Sequence, residues 1–306
     1  MTASAPAIAS PVDRRLPRLT KAHAPLTREV QAVNEFGESL LVSIPAERAL
    51  TVYVDKRELV TLMTLGAHPE WLVLGYLRNQ RLVSSVDDIE SVTVDWEVGA
   101  AAVKTHRGID SIEEKTSRRV VTTGCGQGSV FGGLMDEVDQ IVLPPDATMS
   151  QAQLYALVNT IRLKETTYKS AGSVHACALF TLNEGEPELL LFVEDVGRHN
   201  AIDTIAGWMW MQRPAPAATG AEPVLAFYTT GRLTSEMIIK SAQMGVPIVV
   251  SRSGMTQMGH EVALSLGLCA IGRATNRRFI CYSGSHRLQL QPELAGAKPR
   301  SAADSE

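Results

Sequence analysis

The chain has 306 residues, a length that suggests about two domains and allows a sizeable core. It is 45% apolar and 20% charged, as in ordinary globular proteins, and its net charge of −4 excludes a bulk basic field for nucleic acid. Its four cysteines, Cys125, Cys177, Cys269 and Cys281, form no C-x-x-C pair, which argues against a disulfide scaffold or a Cys-rich zinc site and for a reducing compartment.

Residues 1–27 are Ala/Pro/Ser-rich with scattered Arg and Lys and no apolar h-region. They read as a flexible tail rather than a signal peptide, and 291–306 reads likewise. No run approaches the roughly 18 apolar residues of a membrane span. The expected location is therefore the cytoplasm, with neither membrane nor nucleic acid as partner.

A small α+β domain is expected over 28–120. Strands are predicted at 50–54 and 59–62 around the turn-prone Asp55-Lys56-Arg57. A helix follows over 68–82, with Trp71, Leu72, Leu74 and Leu77 on a 3–4 stripe, then a hairpin of 92–98 and 101–104. The larger domain is expected over 121–290. A β-like run at 118–122 leads into Gly124-Cys125-Gly126-Gln127-Gly128. After Pro144-Pro145 a helix is capped by Thr148 or Ser150 and buries Leu154, Leu157, Val158 and Ile161.

Strands at 176–182, 188–193, 224–229, 247–251, 268–272 and 278–282 then alternate with helices at 200–212, 234–244 and 256–266. Residues 213–222 read as a linker. Trp208, Met209, Trp210 and Met211 suit core or a partner face, the latter making a homodimer an expectation. The alternation defines an α/β class with a mixed, largely parallel sheet. In such sheets ligands sit at the loops leaving the C-terminal strand ends.

Several loops carry reactive residue types. In Thr123–Ser129, glycines let backbone N–H groups converge on an anion, and a cysteine there gains a stabilised, nucleophilic thiolate. The plainer alternative is a tight turn. The loop is neither a dinucleotide fingerprint, since Ser129 replaces the third glycine, nor a P-loop. Glu194-Asp195-Val196-Gly197-Arg198-His199-Asn200 gathers carboxylates, a cation and an imidazole at a strand-to-helix turn, or else is a helix cap with an Arg198–Asp195 pair.

Arg232 with Thr234 and Ser235, and Arg252 with Ser253, begin helices after neighbouring strands, a pattern that suits an anion. Arg273-Ala274-Thr275-Asn276-Arg277-Arg278 adds three cations, or is simply a solvated hairpin turn. Together these fit a small polyanion better than a duplex. His175-Ala176-Cys177 is a poor zinc site and reads as packing. Cys269 and Cys281 lie in apolar strands and read as inert, and no protein-ligated metal is expected.

These motifs resemble the FdhD family of formate dehydrogenase accessory sulfurtransferases. The matching stretches are T-G-C-G at 123–126, G-S-V-H-A at 172–176, E-D-V-G-R-H-N-A-I-D at 194–203, T-G-R-L-T-S-E at 230–236 and G-V-P-I-V-V-S-R-S at 245–253. The strand–turn–strand at 268–282 matches as well. The resemblance implies that Cys125 accepts sulfur as a persulfide from a cysteine desulfurase. The sulfur would then pass to the molybdenum cofactor, as bis-molybdopterin guanine dinucleotide, for the formate dehydrogenase catalytic subunit.

It also implies that Arg273, Ala274, Thr275, Asn276, Arg277 and Arg278 bind the guanine nucleotide. Arg232, Arg252, Ser253 and His199 are the further cofactor-binding candidates. The larger domain is expected to resemble cytidine deaminase without its zinc. The deaminase H-A-E is His175-Ala176-Cys177 here and P-C-x-x-C is absent, so deamination is not expected. One departure matters: the family loop is usually C-G-x-C, and Gly128 replaces its second cysteine. The alternative is therefore a cofactor-delivery chaperone without sulfur transfer.

Overall fold

The computed structural model describes residues 16–109, 120–121, 128–129, 138–164, 167–212 and 223–296. The N-terminal part contains strands β1 (Arg18–Leu19), β2 (Thr27–Val33), β3 (Ser39–Pro45), β4 (Arg48–Val54) and β5 (Arg57–Thr64). Helix α1 (Pro69–Asn79) and strands β6 (Ile89–Asp95) and β7 (Ala100–Thr105) complete it. One sheet runs β1-β6-β7-β4-β5, while β2 and β3 form a separate two-stranded ribbon. Left-handed Asp55 and Lys56 turn β4 back onto β5, as the sequence signal requires. Leu72, Val73, Leu74 and Leu77 of α1 bury against Leu50, Val52, Leu62, Val92 and Val103 of that sheet.

Part of the expected N-terminal tail is anchored here. Arg18 and Leu19 pair in parallel with Ser91 and Val92. Buried Glu70 accepts hydrogen bonds from Thr20 Oγ1 and Ala22 N, both at 2.7 Å. At the other end, Gln291 N donates to Gln151 Oε1 at 2.9 Å, so the chain just beyond 290 is also tied to the fold.

The short strands β8 (Val120–Val121) and β9 (Gly128–Ser129) pair antiparallel. Next come β10 (Met149–Ser150), α2 (Gln151–Lys164), α3 (Thr167–Ala171), β11 (His175–Leu182), β12 (Glu188–Asp195) and α4 (Arg198–Gln212). β13 (Val224–Thr229), α5 (Ser235–Gln243), β14 (Ile248–Ser251), α6 (Gln257–Ser265), β15 (Cys269–Thr275), β16 (Arg278–Ser283) and β17 (Leu288–Gln289) follow. At the start of α2, Ser150 Oγ accepts from Gln153 N at 3.2 Å while Gln153 Oε1 accepts from Ser150 N at 3.0 Å. Ser150, rather than Thr148, is thus the reciprocal cap.

The main sheet runs β12-β11-β13-β14-β15-β16. It is mixed but not largely parallel: β13–β14 and β14–β15 are parallel, whereas the other three pairings are antiparallel. Short β11–β12 and β15–β16 turns impose hairpins, and β11 also runs against β13. Side-chain alternation gives the sheet two buried faces. Cys177, Leu179, Phe227, Val249 and Ala270 face a core shared with α4 and α5. Ala178, Phe180, Tyr228, Val250 and Ile271 face α2 through Leu154, Leu157, Val158 and Ile161.

Helix α4 lies between the main sheet and α1. Trp208 and Met209 pack on the first core, Trp210 and Met211 on that of the N-terminal sheet. The apolar side chains behind the homodimer expectation are therefore used inside the chain. The linker expected at 213–222 lies outside the described residues.

Candidate functional site

Strand register gathers the polar loops at one sheet edge. His175 pairs with Asp195, Cys177 with Thr229, Thr229 with Ser251, and Thr275 with Arg278. The starts of β11 and β16 therefore meet the ends of β12, β13, β14 and β15. The loops after β13 and β14 are stapled together: Ser251 Oγ donates to Gly231 O at 2.6 Å, and Ser253 Oγ to Thr230 O at 2.8 Å. Leu233 N donates to Gly254 O at 3.0 Å, and Thr256 N to Leu233 O at 3.1 Å. Ser253 thus has its hydroxyl proton committed to holding the loops in place.

Beside this edge is a cleft of about 510 Å³. Tyr155, Val158, Asn159, Ile161 and Arg162 of α2 form one wall; Tyr228, Arg252 and Ala274–Arg277 form the other. Of the sequence candidates, Arg252, Ala274, Thr275, Asn276 and Arg277 line it. Arg273, Arg278, Arg232, Ser253 and His199 are not among its lining residues. Asn276 closes the β15–β16 turn with a left-handed φ of 52°, a conformation that asparagine tolerates. Arg252 also stacks on Tyr168, its guanidinium carbon 5.2 Å from the ring centroid. Three guanidinium groups, two amides and two phenols thus surround one concave space, a lining suited to an aromatic ligand with an anionic tail.

Tyr155, Asn159 and Arg162 do not feature in the motif reading. The available signal is their spacing of four and three on the polar face of an amphipathic helix, which sends all three to one side.

The dense 194–200 segment has a different use. Asp195 is 3% exposed and accepts from Gly197 N, Asn200 Nδ2, Thr64 Oγ1 and Leu65 N at 3.0, 2.9, 2.5 and 3.2 Å. Burial pushes its carboxyl above the ordinary aspartate range, against the pull of those donors. Asn200 is not an N-cap, because its amide bridges Asp195 and Met63 O, the latter at 2.6 Å. Glu194 accepts from Thr167 N at 2.8 Å and Tyr168 N at 3.1 Å, seating α3. Both carboxylates join parts of the fold.

His199, its side chain 12% exposed, lies beside Glu236, Nδ1 to Oε1 3.4 Å, and desolvation lowers its pKa to about 3. It is therefore neutral at pH 7. Deeper in, Lys240 Nζ lies 2.9 Å from Asp203 Oδ1 and 3.3 Å from Glu236 Oε1, while Asn79 Nδ2 donates to Asp203 Oδ1 at 2.7 Å. Burial opposes the charge on Lys240, but the two carboxylates hold its pKa above the ordinary lysine value.

His175, at the sheet edge, is held below the ordinary imidazole pKa by burial and then by Arg198 and Arg252. Cys177 is fully buried, its thiol pushed up to about 12 by burial, and donates to Thr229 Oγ1 at 3.4 Å. Cys177 is thus packing, whereas His175 is only half-buried, its Nδ1 3.5 Å from Thr230 Oγ1. Cys269 is raised by its hydrogen bond with Cys281 and by burial, while the same bond lowers Cys281. Cys125 lies outside the described residues. Among the described residues no cluster of three or more His, Cys, Asp or Glu side chains is placed to hold a metal ion.

Residues 45–289 match the FdhD/NarQ family, and the chain belongs to it. Proteins named sulfur carrier protein FdhD are similar over most of their length. That of Bacillus subtilis is 29% identical over 249 residues, 79% of this chain and 89% of the relative. That of Geobacillus kaustophilus is 26% identical over 245 residues, 80% of this chain and 89% of the relative. A crystal structure from Desulfotalea psychrophila, of a protein whose name proposes a formate dehydrogenase accessory role, shares the fold. Its TM-score is 0.65 at 22% identity, covering 86% of this chain and all of that one.

Proposed function

We propose that this protein is a sulfur carrier for formate dehydrogenase maturation; the relatives' names supply the sulfur-carrier part and the name of the structural neighbour the formate dehydrogenase part. The Cys125 thiolate attacks the outer sulfur of a cysteine desulfurase persulfide. The new Cys125 persulfide forms as the desulfurase thiolate leaves. The cleft holds the nucleotide end of bis-molybdopterin guanine dinucleotide, which is substrate rather than resident cofactor. The outer sulfur then passes to the cofactor as its sulfido ligand before insertion into the catalytic subunit of formate dehydrogenase. Cys125 leaves as the thiolate, and the two electrons needed come from oxidation of the acceptor's molybdenum or from outside thiols that end as a disulfide. We place this work in the cytoplasm, in a main sheet akin to zinc-free cytidine deaminase.

The observation that carries the reading is the cleft lining: Arg252, Asn276 and Arg277 from the motif loops meet Tyr155, Asn159 and Arg162 from α2. Guanidinium groups pair with diphosphate oxygens, and amides suit the polar edge of a base. The replacement of the second loop cysteine by Gly128 favours one other reading, delivery of the cofactor without sulfur transfer. Without that thiol no internal disulfide forms, so release needs attack by the acceptor or an outside thiol.

The test is mass spectrometry after incubation with a cysteine desulfurase and cysteine. The expected result is an adduct of about +32 Da, one sulfur atom, on Cys125 that is absent from Cys125→Ala. No adduct under conditions that load a control acceptor leaves only the delivery reading.

A further inference from the structure

Tyr155 joins three separate segments at the cleft wall. Its hydroxyl donates to the Arg277 carbonyl at 3.1 Å, and Gln151 Nε2 donates to that hydroxyl at 2.8 Å. Gln151 Oε1 in turn accepts from Gln291 N at 2.9 Å, while Ala152 N donates to Gln291 Oε1 at 3.0 Å. The phenol ring meets Phe279 edge-on, with centroids 6.2 Å apart. A hydroxyl has one proton. With Gln151 occupying an oxygen lone pair, that proton is directed at the β15–β16 turn.

The turn needs such a hold. It projects from the sheet edge, its four residues Thr275–Arg278 are all exposed, and its left-handed Asn276 directly precedes Arg277. The Arg277 guanidinium reaches the cleft from a long stem with much rotamer freedom. Fixing the backbone carbonyl of the same residue narrows the positions that the guanidinium can sample.

We propose that Tyr155, oriented by Gln151, is a positioning residue: a latch that ties the β15–β16 turn to α2 and aims Arg277 at the anionic part of a bound ligand. This rests on the cleft being the nucleotide site. It differs from a role in which the ring of Tyr155 merely forms wall or stacking surface, because the latch resides in the hydroxyl alone.

The test is calorimetric titration of the full chain with guanosine diphosphate and, separately, with guanosine. The wild type binds the diphosphate more tightly. Tyr155→Phe keeps the ring and the fold, binds the diphosphate about five- to tenfold more weakly as loss of one hydrogen bond implies, and binds guanosine unchanged. Trypsin cuts after Arg277 faster in this variant than in the wild type. If Tyr155→Phe binds the diphosphate as the wild type does, or loses both ligands equally, the latch is wrong while the cleft reading stands. If the wild type binds neither ligand, the cleft reading fails and takes the latch with it.

Discussion

Arg252 and Arg277 line one cleft from the ends of two neighbouring parallel strands, β14 and β15, with α2 as the opposite wall. This convergence places a cationic ridge opposite aromatic and amide groups. Arg252→Ala and Arg277→Ala should each weaken guanosine diphosphate binding about tenfold, or ~1.4 kcal/mol. Arg232→Ala, which alters an exposed side chain outside the cleft lining, should have a smaller effect. Calorimetry at low and moderate salt checks this, and the arginine effects should shrink as salt rises.

Asp195 binds β5 to α4. Asp195→Ala strands the Asn200 amide, the Thr64 hydroxyl and the Leu65 and Gly197 N–H groups near buried backbone. The expected loss of stability is about 3 kcal/mol or more, and Asp195→Asn should lose less. Urea unfolding followed by circular dichroism gives the comparison. Equal stability of Asp195→Ala and wild type would show that Asp195 does not hold β5 to α4.

Helices α1 and α4 cross where Gly75 and Gly207 let their backbones touch. A Cβ on Gly75 would strike the Asp203 carbonyl, and one on Gly207 the Trp71 carbonyl. Neither obstacle is a flexible side chain, so Gly207→Ala should destabilise by about 1–3 kcal/mol through overpacking. Thermal melts should show the drop. Nucleotide affinity measured well below the melt should stay near wild type, since the cleft lies on the other face of the main sheet.

His199 makes stability sensitive to acid. Its folded pKa of about 3 lies below the unfolded value of about 6.5, so between those values only the unfolded state takes up the proton. Stability from this residue is complete above about pH 6.5 and falls as pH drops, by up to about 1.4 kcal/mol per unit. Urea midpoints from pH 7.5 to 4.5 should show the decline in wild type and a shallower one in His199→Gln. Identical slopes would rule out a His199 held neutral in the folded protein.

Much of the fold is legible where a single period dominates. The helix over 151–164 shows its apolar stripe in sequence, and Leu154, Leu157, Val158 and Ile161 are the apolar residues it buries. The β2–β3 ribbon is not legible, because Val33, Phe36 and Leu41 are exposed and its alternation marks no core face. Strand pairing is also hidden. Nothing local to 176–182 says that β11 runs against β13, so βα alternation overstates the parallel character.

The cleft is half legible. Arg252 and the 274–277 turn carry motif signals, whereas Tyr155 and Arg162 gain their role only when α2 packs across Tyr228 and Val250. Conversely, the dense polar run at 194–200 looks like a site in one dimension. In three, Asp195 and Glu194 are spent on joining the N-terminal sheet, α3 and α4.

Complementation shows whether a persulfide on Cys125 and a nucleotide in the arginine cleft serve the same reaction. Cells lacking the chromosomal copy would carry wild type, Cys125→Ala or Arg277→Ala, and formate dehydrogenase activity would be assayed at matched protein levels. Activity is expected with wild type and at least a tenfold loss with either variant. Full activity with Cys125→Ala would contradict sulfur transfer, and full activity with Arg277→Ala would contradict the cleft.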